Sequence, residues 1–311
     1  MAAADIRRPR RAAGRTANVV AADLIAVLVA VTGAEPRVLT VQDAAALPSG
    51  PFKVVHRSLQ AGLRDWVENQ THHPLGYVEQ LYTFADRGRM CDGGHAISIS
   101  YLGLTREGGA SGEDEPGWQN WYEFFPWEDH RAGPPPVIAG TILPRLTEWA
   151  TAAGLAARDR ARRIGITFGT DGGWNEELVL QRYELLFEAG LVAEARDASS
   201  LPGRPMLSDH RRILATGIAR LRAKIKYRPV VFELMPPEFT LLQLQRSVEA
   251  IAGRLVHKQN FRRLIEQQDL VEETGGTMQD TGGRPAKLVR FRRAILAERD
   301  VVGTKLPISP G

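Results

Sequence analysis

Cysteine is nearly missing from this chain: Cys91 stands alone among 311 residues. A lone thiol excludes an internal disulfide and a zinc site built on cysteines. Long apolar runs are missing as well. The most apolar stretch, from Val19 to Val31, is interrupted by Asp23 and is too short to span a bilayer. The first residues hold no secretory apolar core; they are rich in Ala and Arg (Arg7, Arg8, Arg10, Arg11, Arg15). An organelle transit peptide would fit that composition, but we read residues 1–17 as a disordered basic tail on a cytoplasmic protein that meets no membrane. A phosphate-binding loop is also absent. The Gly-rich run Gly165 to Gly173 lacks the closing Gly-Lys-Ser/Thr. Nor is there a strong excess of either charge: the net charge is +4, so the total says little about nucleic acid.

What is present suffices for two domains with a sizeable core, at 43% hydrophobic and 24% charged residues. The chain is organised around Gly50 to His72. Ser58 caps a helix whose apolar residues Leu59, Leu63, Trp66 and Val67 recur at helical spacing. The other side carries Arg64, Asp65, Glu68 and Asn69, just past a Leu47-Pro48-Ser49-Gly50 turn. Such a face is either merely solvated or holds a divalent cation against a pyrophosphate through converging oxygens.

The register resembles the Nudix box, G-x5-E-x7-R-E-U-x-E-E-x-G-U, the signature of hydrolases acting on nucleoside diphosphates linked to another group. Gly50, Arg64, Trp66 and Glu68 fall on box positions, and Asp65 stands for the Glu after the Arg. His56, Asn69 and Thr71 replace the early Glu, the second Glu of the pair and the last Gly. An amide brings only a carbonyl dipole to Mg²⁺, and imidazole is a poor ligand for so hard an ion. The expectation is a Nudix frame with no metal site and no catalytic residues.

Strands are expected on both sides of this helix: a buried hairpin around Gly33-Ala34, then Tyr77 to Phe84 and Ala96 to Leu104. Arg87 and Arg89, in the loop between the last two, either suit a pyrophosphate or are simply exposed. Glu107 to Gly117 reads as a surface loop. The aromatic cluster Trp118, Trp121, Tyr122, Phe124, Phe125 and Trp127 reads as core, with one ring available to a pocket. Helices are expected over Ile142 to Ala153, through Phe187 after a cap at Asn175, and over Asp209 to Tyr227. Pro229 to Leu234 reads as a short strand. Residues 154–205 read as an insertion or extra lobe.

Composition changes at Pro236-Pro237. Thr240 and Gln243 stand at capping-box spacing, and Leu241, Leu244, Val248 and Ile251 form the stripe of a helix ended by Gly253. A second helix, from about His257 to Gln267, and a hairpin ending in Arg284 to Arg292 complete a winged helix-turn-helix pattern. Segments 254–263 and 284–293 contain no acidic residue. They predict one basic patch tracking DNA phosphates, with Gln259 and an Arg reaching base edges. A module for protein contacts or RNA is the alternative.

Taken together, the spoiled box, Phe239-Thr240-Leu241, His257 to Arg263 and Gly283-Arg284-Pro285-Ala286 resemble the NrtR-like, Nudix-related transcriptional regulators. LPSGPF, LRDWVENQT, YVEQLYTF and IKYRPVVFELMPPEFTL resemble more specifically the alphaproteobacterial NadQ-like branch. The resemblance covers roughly residues 18–295. It implies an α+β chain: a Nudix-like α/β/α sandwich over 18–227, a winged helix-turn-helix over 228–300, and a tail over 301–311. It further implies a homodimeric repressor of NAD-biosynthesis genes on a palindromic operator, sensing NAD, ATP or ADP-ribose without catalysis. The ligand residues would be Arg64, Asp65, Glu68, Arg87 and Arg89. The DNA residues would be Thr240, Lys258, Gln259, Asn260, Arg262, Arg263, Arg284 and Lys287. A surviving pyrophosphatase with an accessory module is the rival expectation.

Overall fold

A computed structural model describes residues 20–73, 75–76, 78–85, 90–91, 94–107, 117–195, 201–227, 230–278 and 285–292. Its centre is a long strand, β1 (Val20–Thr32), which is buried on both faces. Strand periodicity divides its side chains between two layers. Leu24, Ala26 and Leu28 join Leu39, Leu63, Val67 and Tyr101 in one cluster, while Ile25, Val27 and Val29 enter a larger cluster behind the sheet. The hairpin to β2 (Glu35–Thr40) turns through Gly33 and Ala34, both at positive φ. Two left-handed residues match the right-handed twist of the flanking strands.

Next come β3 (Ser49–Pro51), α1 (Leu59–Thr71), β4 (Val78–Phe84), β5 (Met90–Cys91), β6 (Gly94–Leu104) and β7 (Gly117–Asn120). The sheet order is β4-β6-β1-β2-β7, with β3 paired to β1 and β5 to β6; β1 and β6 run parallel, the other pairs antiparallel. Helix α1 covers one face through the fully buried Leu63 and Val67. Burying each contributes about 1.5–3 kcal/mol. The Ser58 hydroxyl accepts from the Ala61 N–H at 3.1 Å, the expected cap.

The other face carries α2 (Leu143–Thr151), α3 (Ala157–Phe168), α4 (Val179–Glu188) and α5 (His210–Tyr227). Helix α5 lies directly on the sheet: a Cβ at Gly217 would meet Val27 Cγ1 at 2.8 Å. Trp121, Tyr122, Phe124, Phe125 and Trp127 are buried in this layer, as expected of a core cluster. Residues 154–205 are not a separate lobe. Ile164, Phe168, Val179, Tyr183 and Leu186 share one cluster with Val27 and Trp127. The helix expected over Ile142 to Ala153 is present as α2 and is entered through a π-turn over Ile138–Ile142. Two local expectations need correction. Val230–Leu234 is a 3-10 turn, not a strand. Asn175 does not cap α4: its side chain accepts from the Glu177 N–H in the turn before it, and α4 starts at Val179.

The C-terminal elements are α6 (Leu241–Ala252), α7 (Lys258–Gln267), β8 (Val271–Met278) and β9 (Ala286–Phe291). Thr240 and Gln243 form the reciprocal capping box, and Gly253 ends α6 in the left-handed conformation. A backbone bridge between Phe239 and Val289 ties the hairpin to the segment entering α6. Phe239, Phe261, Ile265, Leu270 and Val289 are buried beneath it. No helix among the described residues is long and apolar enough to cross a membrane.

Candidate effector cleft and nucleic-acid interface

Helix α1 and the loop before it build a cleft. Gln70 straps α1 to β3 by a reciprocal pair of bonds with the Ser49 backbone, at 3.0 and 2.8 Å. Trp66 Nε1 donates to the Pro51 carbonyl at 2.9 Å. Its indole lies so close to Gly50 that a Cβ there would sit 2.2 Å from the ring. Gly50 is therefore a close-approach glycine. In the loop, the Lys53 N–H donates to His56 Nδ1 at 3.0 Å, and the ring packs over Gly62. The cleft is about 320 Å³ in volume, lined by Lys53, Val55, His56, Asp65, Trp66, Glu68 and Asn69.

The expected ligand residues are thus only partly assembled. Asp65 and Glu68 line the cleft. Arg64 does not: its guanidinium donates to the carbonyls of Leu75 and Gly76, clamping the chain that leaves α1. It is a structural residue here, because both carbonyls occupy its planar fork. Arg87 and Arg89 lie outside the described residues. Lys53 was missed, since an exposed Lys in a loop carries no spacing signal. A Nudix frame implies Mg²⁺, and this donor set does not fit it. Two carboxylates remain beside an imidazole, an amide and an ammonium. Among the described residues no three His, Cys, Asp or Glu side chains converge.

The second site is α7. Phe261 and Ile265 bury one face, leaving Lys258, Gln259, Asn260, Arg262 and Arg263 exposed on the other. None of these three cations forms an ion pair among the described residues. Its first turn holds no acidic side chain, so the helix N-terminus keeps its positive end toward solvent. The hairpin differs. Lys287 is 2.7 Å from Glu273, Arg290 2.6 Å from Glu272, and Arg292 contacts Asp269. The expected free basic wing is therefore corrected at Lys287, because the antiparallel register brings carboxylates of β8 against the cations of β9 and its end. Arg284 lies outside the described residues. Thr240 is corrected too: only 3% exposed, its hydroxyl accepts from the Gln243 N–H and is not offered to DNA.

A buried polar node that sequence spacing did not reveal ties the end of α6 to the layer behind the sheet. The last carbonyls of α6 lack partners within the helix. Donors from the sheet domain and its helices supply them. Tyr122 Oη donates to Ala250 O at 2.7 Å, Arg222 Nε to Ile251 O at 2.9 Å, and the His130 N–H to Gly253 O at 2.7 Å. Arg222 also meets Glu128 at 2.6 Å, as does Arg182, and all three side chains are essentially buried. Burial pushes the Glu128 carboxyl up, but Arg182 and Arg222 outweigh it and hold the group below its ordinary value. Arg182 lies over the Trp174 ring at 3.8 Å, and His130 stacks on the same indole at 3.9 Å. Burial lowers the pKa of His130.

Comparison with known proteins agrees with this architecture. Residues 231–291 match the family model of the NrtR DNA-binding winged helix domain. The chain is 42% identical over 83 residues to the ADPR-responsive transcriptional repressor NtrR of Acinetobacter baylyi, covering 27% of this chain. That match spans about a third of the relative's length, 33%. Shewanella oneidensis NrtR complexed with a 27-mer DNA superposes with a TM-score of 0.53 at 19% identity, over 93% of this chain and 99% of that one. A MutT/nudix family protein from Enterococcus faecalis gives 0.53 at 14% identity, over 91% and 90%. The chain is NrtR-like in architecture: a Nudix-type domain followed by an NrtR-type winged helix.

Proposed function

We propose that this chain is a DNA-binding transcriptional repressor of NAD-biosynthesis genes, controlled by an adenine nucleotide held in the α1 cleft. One observation carries the reading: the exposed cations of α7, which form no ion pair among the described residues, lie inside the segment that matches the winged-helix family model. A helix of this kind enters the major groove, where Gln259 and Arg262 reach base edges and Lys258 and Arg263 meet phosphates. Two copies related by a two-fold axis read a palindromic operator, with half-sites about one helical turn apart. The sensing domain spans residues 18–227 and the reading domain 228–300, in a cytoplasmic protein.

ADP-ribose is the favoured effector, because the Acinetobacter relative is described as ADPR-responsive. NAD and ATP are the comparators. The cleft binds without turning over, since His56, Asn69 and Thr71 stand where hydrolysis needs Glu, Glu and Gly. A gel shift on the protein's own upstream and neighbouring promoters tests the reading. Operator binding that responds to ADP-ribose, NAD or ATP is expected; equal binding to every duplex, blind to all three, overturns it. Asp65 and Glu68 favour a second reading, a weak pyrophosphatase. Release of AMP from ADP-ribose with Mg²⁺ at ordinary enzyme rates would establish that one instead.

A further inference from the structure

Box substitutions at His56 and Asn69 do more than remove a metal. They change the sign of what the cleft offers. Glu at both positions would give a wall with two more negative charges, which repels a diphosphate unless a cation intervenes. Here the wall keeps Asp65 and Glu68 but gains donors. His56 is held in one tautomer: its Nδ1 accepts from the Lys53 N–H at 3.0 Å, so the neutral ring carries its proton on Nε2. The ring is held in place. A Cβ on Gly62 would lie 2.5 Å from Nδ1, and Phe52 packs against the imidazole at 5.7 Å between centroids. The Lys53 ammonium sits 4.5 Å from the Trp66 ring centroid, on the same cleft. Asn69 adds an amide with two N–H donors.

We infer that this cleft holds the diphosphate of a nucleoside-diphosphate sugar without a divalent cation: the Lys53 ammonium, His56 Nε2–H and the Asn69 amide take over the role of Mg²⁺. Asp65 and Glu68, acceptors when ionised, receive the hydroxyls of the adjoining sugars. The charge complement suits this ligand, whose phosphates need donors and whose sugars need acceptors. The inference rests on the effector reading proposed above, and adds that the ion is dispensable.

Titration calorimetry on the full chain with ADP-ribose as the probe, in excess EDTA and in excess MgCl₂, separates the two. The same Kd in both buffers is expected. Lys53→Ala should weaken binding about tenfold or more, the loss expected of a charge-assisted hydrogen bond, in either buffer. Lys53 is exposed, so this variant should keep the wild-type melting curve. The double variant His56→Glu, Asn69→Glu should lose affinity in EDTA and regain it with Mg²⁺. Wild-type binding seen only with Mg²⁺ overturns the inference and leaves the effector reading standing. So does a Lys53→Ala variant that binds as the wild type does. No binding of ADP-ribose, NAD or ATP in either buffer overturns both.

Discussion

Helix α7 and the β8–β9 hairpin look alike in sequence and differ in what they present. Each draws its cations from a ten-residue stretch without an acid, RLVHKQNFRR for the helix and RPAKLVRFRR for β9 and its flanks. On α7 the periodicity of 3.6 turns Gln259, Arg262 and Arg263 away from the buried Phe261 and Ile265, and Lys258 is exposed as the first residue of the helix. On the hairpin, each described cation faces a carboxylate supplied by β8 or the turn before it: Lys287 to Glu273, Arg290 to Glu272, Arg292 to Asp269. A local acid count predicts surface potential on a helix, whose near neighbours are local. It fails on a strand, whose near neighbours come from another strand.

Helix α7 packs on α6 and the hairpin is bridged to the segment entering α6; the node holds the end of α6, so breaking it should give the largest effect. Arg222→Ala removes a guanidinium that binds Glu128 and caps Ile251 O, both buried. Breaking a buried pair while leaving its partner charged costs about 3–5 kcal/mol. Urea denaturation should show that loss as one transition shared by the two domains. Two separate transitions in the wild type would mean that the domains do not depend on each other. Acid should act at the same place. Burial raises Glu128, Asp129 and Glu176, but Arg182 and Arg222, Arg131, and Lys226 with Arg254 respectively hold them below their ordinary values. Depressed carboxyls contribute stability that is present above their unfolded pKa values, 3.8 to 4.5, and lost as pH falls through the folded ones. His130, lowered by burial, adds a decline that starts below 6.5. The melting temperature should therefore fall with pH from there downward, and Glu128→Gln should flatten the lower part of the curve.

On the α7 side, Gln259→Ala or Arg262→Ala should cost about 1–3 kcal/mol on the operator and much less on random duplex. Fluorescence anisotropy with both duplexes measures the difference. An equal loss on the two would make this face a phosphate binder alone. Effector binding to the isolated protein should be the same in both variants, because α7 does not line the α1 cleft.

Short-range features were legible. The Ser58 cap, the Thr240–Gln243 box and the buried hairpin at Gly33-Ala34 are set by residues a few positions apart, and the structure has all three. The α1 frame was legible through its register, but the clamp made by Arg64 was not, because the carbonyls it holds are 11 and 12 residues away. Lys53 lies on an irregular loop, where no period marks it. Residues 154–205 looked like an insertion because α3 is basic along most of its length, and only packing shows Ile164 and Phe168 in the main core. The node joining Tyr122, Glu128, Arg182 and Arg222 to α6 spans separations of 29 to 128 residues. No local pattern encodes such a contact.

The smallest effect is the sharpest test of the comparison between helix and hairpin. Lys287 is 71% exposed and its Glu273 partner 61%, so water and salt screen the pair and its bond is weak. DNA phosphate must nevertheless compete with that carboxylate for the ammonium, and the carboxylate itself repels the duplex. Each phosphate neutralised adds about 0.9 to the slope of log affinity against log salt. Arg263→Ala should therefore reduce the slope by about 0.9, and Lys287→Ala by clearly less. Glu273→Gln should raise affinity for random duplex a few-fold and steepen the slope toward one further contact, because it frees Lys287 and removes a negative charge together. The double variant Glu273→Gln, Lys287→Ala separates these contributions: it should return the slope to the wild-type value while keeping part of the affinity gain. If Lys287→Ala alone flattens the slope as much as Arg263→Ala, the hairpin cations are as available as those of α7, and the carboxylates opposite them have no bearing on DNA.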